Sequence, residues 1–311
     1  MNEEYVIFIG GPCVDEYYAV RNWPKEGDKF LGKFEGNVPG GMIANAACVY
    51  AGYGKKTYIF SGMGDNPTTD FLLKDMEENH VDTSEMILDK DFHDGKCIIF
   101  QGDSDRTILV VEGDKQQFEL SEEKLRFLCG AKYVYTTLQC MKQFKDSEKI
   151  FDILKEHGVR IVLDNEASTY VEDWRRYMKN AYIGFFNEYS LQLFKKEKSE
   201  EEFISELFDM GLQVVVETLG ADGCKVITKE KSFSASVFDI SIVDTTGAGD
   251  TFNSSFMYAQ SCDWSLEKSA VFATAAADMA IMKQGPRGGI TTEEKVFDFI
   301  AKSNKKILSI N

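Results

Sequence analysis

The stretch Asp244-Thr245-Thr246-Gly247-Ala248-Gly249-Asp250-Thr251-Phe252-Asn253-Ser254-Ser255-Phe256-Met257 is the most informative in this chain. A β-rich run, residues 237–243, leads into it, and a helix can start at the glycines and continue through Met257. Small residues at 247, 248 and 249 let backbone N–H groups approach a ligand closely. The first turn of a helix adds unpaired donors and a partial positive charge. Such a turn suits an anion, phosphate above all. Asp250 falls inside it, where its charge repels that anion. Either the carboxylate takes the proton from a hydroxyl attacking a phosphoryl group, or it stabilises the helix start through the dipole. The turn alone leaves both open.

Working outward, a second glycine site is Pro39-Gly40-Gly41-Met42-Ile43-Ala44-Asn45-Ala46-Ala47. Gly40 and Gly41 permit backbone contact with a ligand, and Asn45 offers both donors and an acceptor. The same residues also suit a tight turn opening a closely packed helix. Asp15 follows the first apolar run, at the end of a strand where open α/β sheets bind ligands. A carboxylate and an amide on a glycine platform suit a polyhydroxylated ligand. Other nucleotide motifs are absent. Gly36 and Gly41 are followed by Met42-Ile43 rather than Lys-[Ser/Thr], and Gly10-Gly11-Pro12-Cys13-Val14-Asp15 is no dinucleotide fingerprint.

Residues 6–9, 161–163, 183–186 and 214–216 are continuous apolar runs, as expected of strands buried on both faces of a parallel sheet. Helical patterns lie between them: Ile150, Phe151 and Leu154 share a face, as do Phe203, Ile204, Leu207 and Phe208. Asn66-Pro67 reads as an N-cap with proline at the first helical position. The alternation predicts an α/β fold with a covered, mostly parallel sheet. Two segments break the rhythm, at about 15–37 and 90–114. The second reads as a hairpin, Lys96–Gln101 and Arg106–Val111 around the polar turn Gly102-Asp103-Ser104-Asp105. The two segments are expected to pair into a small sheet outside the main layer; two unrelated surface hairpins are the alternative.

The chain has 311 residues, and at about 150 residues per domain one large domain or two small ones is expected. The absence of a linker favours one domain over 1–311. With 43% apolar residues there is enough for a sizeable core, and a net charge of -16 repels nucleic acid and anionic membranes. Seven scattered cysteines and three histidines lack the spacing of a zinc site or redox pair, and read as reduced thiols of a cytoplasmic protein. No run is long and apolar enough to span a bilayer; residues 270–282 come nearest, interrupted by Thr274 and Asp278.

In this order the motifs resemble the ribokinase-like (PfkB-type) carbohydrate kinases, over nearly the whole chain. The glycine pair with Asn45, Ala47, Gly54 and Gly64 stands at the spacing of that family's first signature. Gly62-Met63-Gly64-Asp65 matches its Gly-x-Gly-Asp, and Asp244 to Asp250 its second signature. The resemblance implies a three-layer α/β/α core with a β-sheet lid. It also implies transfer of the γ-phosphoryl group of ATP to a primary hydroxyl of a small carbohydrate such as ribose, fructose or 2-keto-3-deoxygluconate. Asp250 would be the base, and the backbone N–H groups of Gly247, Ala248 and Gly249 the anion hole. Asp15, Gly40, Gly41 and Asn45 would hold sugar hydroxyls, with Gln139 in the place of a substrate-binding glutamate. Thr218, Gly220 and Gly223 would form the nucleotide loop, Asn187 would lie near phosphate and Mg2+, and Asp244 and Thr246 would ligate K+. The lid would exclude water and pair across a homodimer, since an isolated small sheet is marginal alone.

Four positions depart from the family pattern. Ser190 stands where Asn187-Glu188-Tyr189-Ser190 should end in glutamate, leaving Glu188 to act on magnesium through water. Met42 replaces a lysine common in ribokinases, Ile43 a small residue, and Ser255 a glycine or alanine. A nucleoside kinase of the same fold is the alternative, with Tyr17, Tyr18, Phe34 or Phe100 as the wall for a base. A non-catalytic sugar or nucleotide sensor is a third reading, resting on Ser190.

Overall fold

The apolar runs become the centre of a nine-stranded sheet. A computed structural model describes residues 4–21, 23, 25–102, 106–114, 117–303 and, for the backbone, 308–310; residues 103–105 of the expected polar turn lie outside the described residues. The strands in chain order are β1 (Tyr5–Ile9), β2 (Cys13–Val20), β3 (Gly32–Gly40), β4 (Lys56–Phe60), β5 (Gly62–Gly64), β6 (Ile87–Asp89), β7 (Lys96–Gln101), β8 (Arg106–Val111), β9 (Tyr133–Thr136), β10 (Arg160–Asp164), β11 (Ala181–Asn187), β12 (Val214–Thr218), β13 (Cys224–Ile227), β14 (Ser232–Ala235) and β15 (Leu308–Ile310). The main sheet runs β15-β14-β13-β12-β11-β10-β9-β1-β4. Its neighbours from β4 to β12 are parallel, and β13 to β15 continue it antiparallel.

Successive side chains point to opposite faces of a strand, and both faces are covered. Val6, Phe8, Tyr135 and Phe185 pack under the helices Met42–Gly52, Ala248–Ser261 and Leu266–Ile281. Ile7, Ile9, Val134 and Leu163 pack under Ser147–Glu156, Glu188–Lys195 and Glu200–Met210. The result is the covered parallel sheet that the alternation predicts, in the three-layer α/β/α arrangement that the resemblance implies. Asn66 caps its helix as expected, accepting from Thr68 N and Thr69 N.

Strands β1, β4, β9, β10, β11 and β12 run in one direction and end along one edge of the sheet, where ligands bind in open α/β folds. Above it sits a separate sheet, β3-β2-β7-β8. The two inserted segments do pair: β2 lies parallel to β7, with Asp15 opposite Cys97 and Tyr18 opposite Phe100. The β2–β3 pairing continues down to Cys13 opposite Gly40, so this small sheet persists until the chain re-enters the core.

The run 237–243 forms no strand. Val243 N and Asp244 N both donate to Ile281 O, and Phe238 N donates to the Asp278 carboxylate at 2.7 Å. Its β-rich composition is held against the end of the 266–281 helix instead of a neighbouring strand.

Candidate active site

The helix Ala248–Ser261 begins at Gly247, whose φ of 77° lies in the left-handed region. A side chain there would also collide with Pro286 O, 2.2 Å from an ideal Cβ. Glycine is therefore required at this turn on two counts. No side chain caps the helix. Thr251 N is bonded to Gly247 O at 2.9 Å and Ala248 N lies 3.3 Å from Thr245 O, so Gly249 N is freer than Ala248 N. An ideal Cβ on Gly249 meets nothing within 4 Å, which places open space before the turn.

Asp250 stands in that first turn. Its carboxylate accepts from Asn45 Nδ2 at 2.9 Å, a bond joining residues 205 positions apart. Small residues let the two helices approach: Ala44, Ala46 and Ala47 are fully buried, and Ser254 Oγ donates to Ala46 O at 2.6 Å. Ser255 shares a 2.6 Å hydroxyl contact with Tyr53, which gives the departure at this position a partner. Phe256 below is fully buried; burial of this kind stabilises by roughly 2–3 kcal/mol and fixes the rotation of the helix.

Asp250 keeps some contact with solvent, yet protein surrounds it on most sides. Burial pushes its carboxyl from 3.8 up to about 7; the Asn45 bond pulls the other way, and the nearby Asp164, Glu166 and Asp15 carboxylates add to the rise. Asp164 is itself buried. Desolvation lifts it to about 6, although it accepts from Tyr135 OH at 2.6 Å and Asn253 Nδ2 at 3.0 Å. A carboxylate poised near neutrality is suited to accepting a proton.

Asp15 lies on β2 and is buried, with its carboxyl raised by desolvation. Gly40, at the end of β3, makes room for it: an ideal Cβ there would be 2.3 Å from Asp15 Oδ2. Gly41 opens the Met42–Gly52 helix that carries Asn45. Gln139 is exposed on the short helix Leu138–Met141, and with Gly11, Cys13, Ser61 and Cys97 it lines a cavity of ≈ 320 Å³.

A larger cleft of ≈ 720 Å³ separates Tyr17, Val38 and Arg106 of the small sheet from Asp244, Gly285 and Pro286. Asp244 Oδ1 accepts from Thr246 N at 2.9 Å and Thr246 Oγ1 at 2.6 Å, and Oδ2 from Gly285 N at 2.9 Å. Arg106 of β8 reaches across to Asp244 at 3.2 Å and to Thr246. Desolvation pushes the Asp244 carboxyl up, but the donors from Thr246, Gly285 and Arg106 outweigh it and hold the group down at about 2.

Further along the same edge Asn187 and Thr218 are register partners at the ends of β11 and β12. Gly220 and Gly223 flank the single turn before β13, closed by Leu219 N to Gly223 O at 2.8 Å. Asn187 caps the Glu188–Lys195 helix by accepting from Ser190 N at 2.7 Å, and Ser190 Oγ in return accepts from Asn187 N at 2.9 Å. Ser190 is thus fully buried as a capping residue, while Glu188 is exposed.

Sequence reasoning overlooked Asp164, Arg106, Cys97 and Arg287. Arg287 bonds Asp75, lies 3.0 Å from Cys48 Sγ, and places Nε 3.4 Å from Asn45 Oδ1, which turns the Asn45 amide nitrogen toward Asp250. The only trace in the sequence is the glycine- and proline-rich run Gly285-Pro286-Arg287-Gly288-Gly289. Nothing local announces that it closes onto a helix more than two hundred residues earlier.

Comparison with known proteins bears on the whole chain. The chain is 24% identical to a ribokinase of Staphylococcus aureus over 302 residues, covering 94% of this chain and 98% of the relative. It is 23% identical over 314 residues to a 5-dehydro-2-deoxygluconokinase of Bacillus licheniformis, 95% of each. The Arabidopsis thaliana ribokinase, solved with ribose and ATP, has the same fold: TM-score 0.84 and 22% identity, over 97% of this chain and 100% of that one. The model of the pfkB family carbohydrate kinases matches residues 6–293. With nearly its full length matched and the three-layer fold in common, the chain belongs to the pfkB family of carbohydrate kinases.

Proposed function

We propose that this chain transfers the γ-phosphoryl group of ATP to a primary hydroxyl of a small sugar. The observation that carries the reading is the Asn45–Asp250 pair at a helix start that opens onto free space. Asp15 and Asn45 orient the sugar hydroxyls; Asp250 accepts the proton of the attacking one. A carboxylate is a weak base for an alcohol, but phosphoryl transfer has a loose transition state, so positioning and electrostatics supply most of the rate. The amides of Gly247, Ala248 and Gly249 offset charge on the phosphoryl oxygens, with Gly249 the main donor. Thr218, Gly220 and Gly223 line the nucleotide's place beside Asn187. Magnesium, when bound, neutralises phosphate charge; Asn187 and exposed Glu188 are the oxygen donors suited to hold it through water. Ribose and 5-dehydro-2-deoxygluconate are the first substrates to test, since curated relatives are named for kinases of both.

The lid faces favour a sugar over a nucleoside. Asp15 and Tyr17 share the face of β2 that looks into the cleft. Tyr18, Phe34 and Phe100 lie on the other face, where Tyr18 packs on the other two at 5.4 and 6.2 Å between ring centroids. Of the four aromatic candidates for a base-binding wall, only Tyr17 faces inward.

Potassium at Asp244 and Thr246 would compete with the Arg106 guanidinium. We read Arg106 as the positive charge at this place when the lid is down. The edge strand β8 is exposed along its length, Ile108, Leu109 and Val110 included; such an edge favours pairing with a second copy, which supports a homodimer through the lid. All seven cysteines are free thiols, in keeping with a cytoplasmic location.

The test is ADP release and thermal stability across pentoses, hexoses, keto-sugar acids, amino sugars and nucleosides. One small sugar should be turned over saturably and, at about 100 times its Kd, stabilise by roughly 2.7 kcal/mol. Turnover confined to nucleosides would establish the alternative, and binding without turnover of any of them would establish a sensor.

A further inference from the structure

Two cysteines and a carboxylate converge beside the sugar pocket. Cys13 and Asp15 are two residues apart on β2, so strand geometry points both side chains to one face. The parallel register sets Cys97 of β7 directly beside Asp15. Cys13 Sγ lies 3.9 Å from Cys97 Sγ and 3.6 Å from Asp15 Oδ1, and the three ligand atoms all fall within 4.8 Å of one another. Tetrahedral zinc with Zn–S bonds of about 2.3 Å holds its two sulfurs roughly 3.8 Å apart, so the thiols already stand at ligand spacing. Among the described residues no other set of three such groups converges in this way.

Charge and space agree. Asp15 is buried, and among the described residues no salt bridge reaches it, the Arg287 charge acting on it only at longer range. The absent side chain of Gly40 gives the carboxylate its place. Cys13 and Cys97 also line the ≈ 320 Å³ cavity, which leaves a fourth coordination position open to water or a ligand oxygen.

We propose that Cys13, Asp15 and Cys97 form a binding site for a soft divalent cation of the zinc and cadmium class. Thiolate ligands select such ions over magnesium. On binding, each thiol releases its proton to solvent and no electron is transferred. The ion ties β2 to β7 and takes Asp15 away from the sugar. This last consequence rests on the assignment of Asp15 to the sugar pocket.

Cadmium titration of the metal-free protein reads the site directly, through the ultraviolet thiolate-to-cadmium charge-transfer band. The band should saturate at one equivalent and be lost in Cys13→Ser and in Cys97→Ser, with folding checked by circular dichroism. Should either serine variant fail to fold, Asp15→Asn keeps both thiols and should weaken cadmium binding at least about tenfold. Absence of the band in the native chain, its survival in the Cys13→Ser/Cys97→Ser double variant, or unchanged affinity in Asp15→Asn would overturn the site. Separately, micromolar zinc added to the magnesium–ATP assay should raise the sugar KM and leave kcat unchanged. A cadmium band without this competition would retain the metal site and refute the assignment of Asp15 to the sugar pocket.

Discussion

Replacing Asp250 by asparagine should inactivate the protein and at the same time stabilise it. The carboxyl is raised from 3.8 to about 7 in the folded chain, chiefly by burial. A group whose acid form is favoured by folding weakens the native state once pH exceeds its unfolded value, and the loss grows until pH passes the folded value. A rise of about three pH units corresponds to roughly 4 kcal/mol at pH 8 and roughly 2 kcal/mol at pH 5. Asp250 as a residue is only partly buried, so about half of each figure is expected in practice. The substituted amide keeps an oxygen to accept from Asn45 and carries no charge to bury. At about 2 °C per kcal/mol for a chain of this size, the variant should melt roughly 4 °C above the native protein at pH 8 and about 2 °C above it at pH 5. Loss of the base should lower kcat by about a hundredfold to ten-thousandfold, with ATP binding retained. The assays are thermal melts at the two pH values, coupled ADP release, and nucleotide titration. A variant that melts no higher than native at pH 8, or by the same margin at both pH values, would refute the buried-charge account. Near-native kcat would refute the base.

Two further perturbations address the surroundings of this carboxylate. Asp164→Asn removes the charge that does most, after burial, to raise Asp250, so the acid limb of kcat/KM should move down from near pH 7 by about half a unit to one unit; a limb that stays or moves upward contradicts the coupling. Arg106→Gln withdraws the guanidinium from Asp244. The native protein should respond weakly to potassium, while the variant should lose activity in sodium buffer and recover several-fold with potassium; equal potassium responses in the two proteins would remove Arg106 from this role.

Much of the architecture is legible in residue order. Four apolar runs between amphipathic segments predict covered parallel strands, and the hairpin Lys96–Val111 follows from alternation and turn chemistry; that it pairs with the earlier insertion, rather than standing apart as a second surface hairpin, is decided only in the fold. The runs and the hairpin are local signals of period and punctuation. The run 237–243 marks the limit of such signals: β-branched residues suit any extended path, and only tertiary contact with the end of the 266–281 helix selects one that forms no ladder. In sequence Ser190 reads as a lost ligand because its neighbours say nothing about burial; in the fold it closes a capping box.

By itself the sequence determined which chemical groups were present and in what order: a glycine turn with an acid in it, an amide on a second glycine site, and an acid after the first strand. Glycine is dictated by backbone geometry, which a chain writes locally. Only the tertiary structure decided how these groups act on one another. Asn45 touches Asp250 across 205 residues, Asp164 lies near enough to raise its pKa, Arg106 descends on Asp244, and Cys97 arrives beside Cys13. Such distances are set by strand register and helix packing. The electrostatic strength of each contact depends on burial, a property of the folded surface that no single stretch of sequence contains.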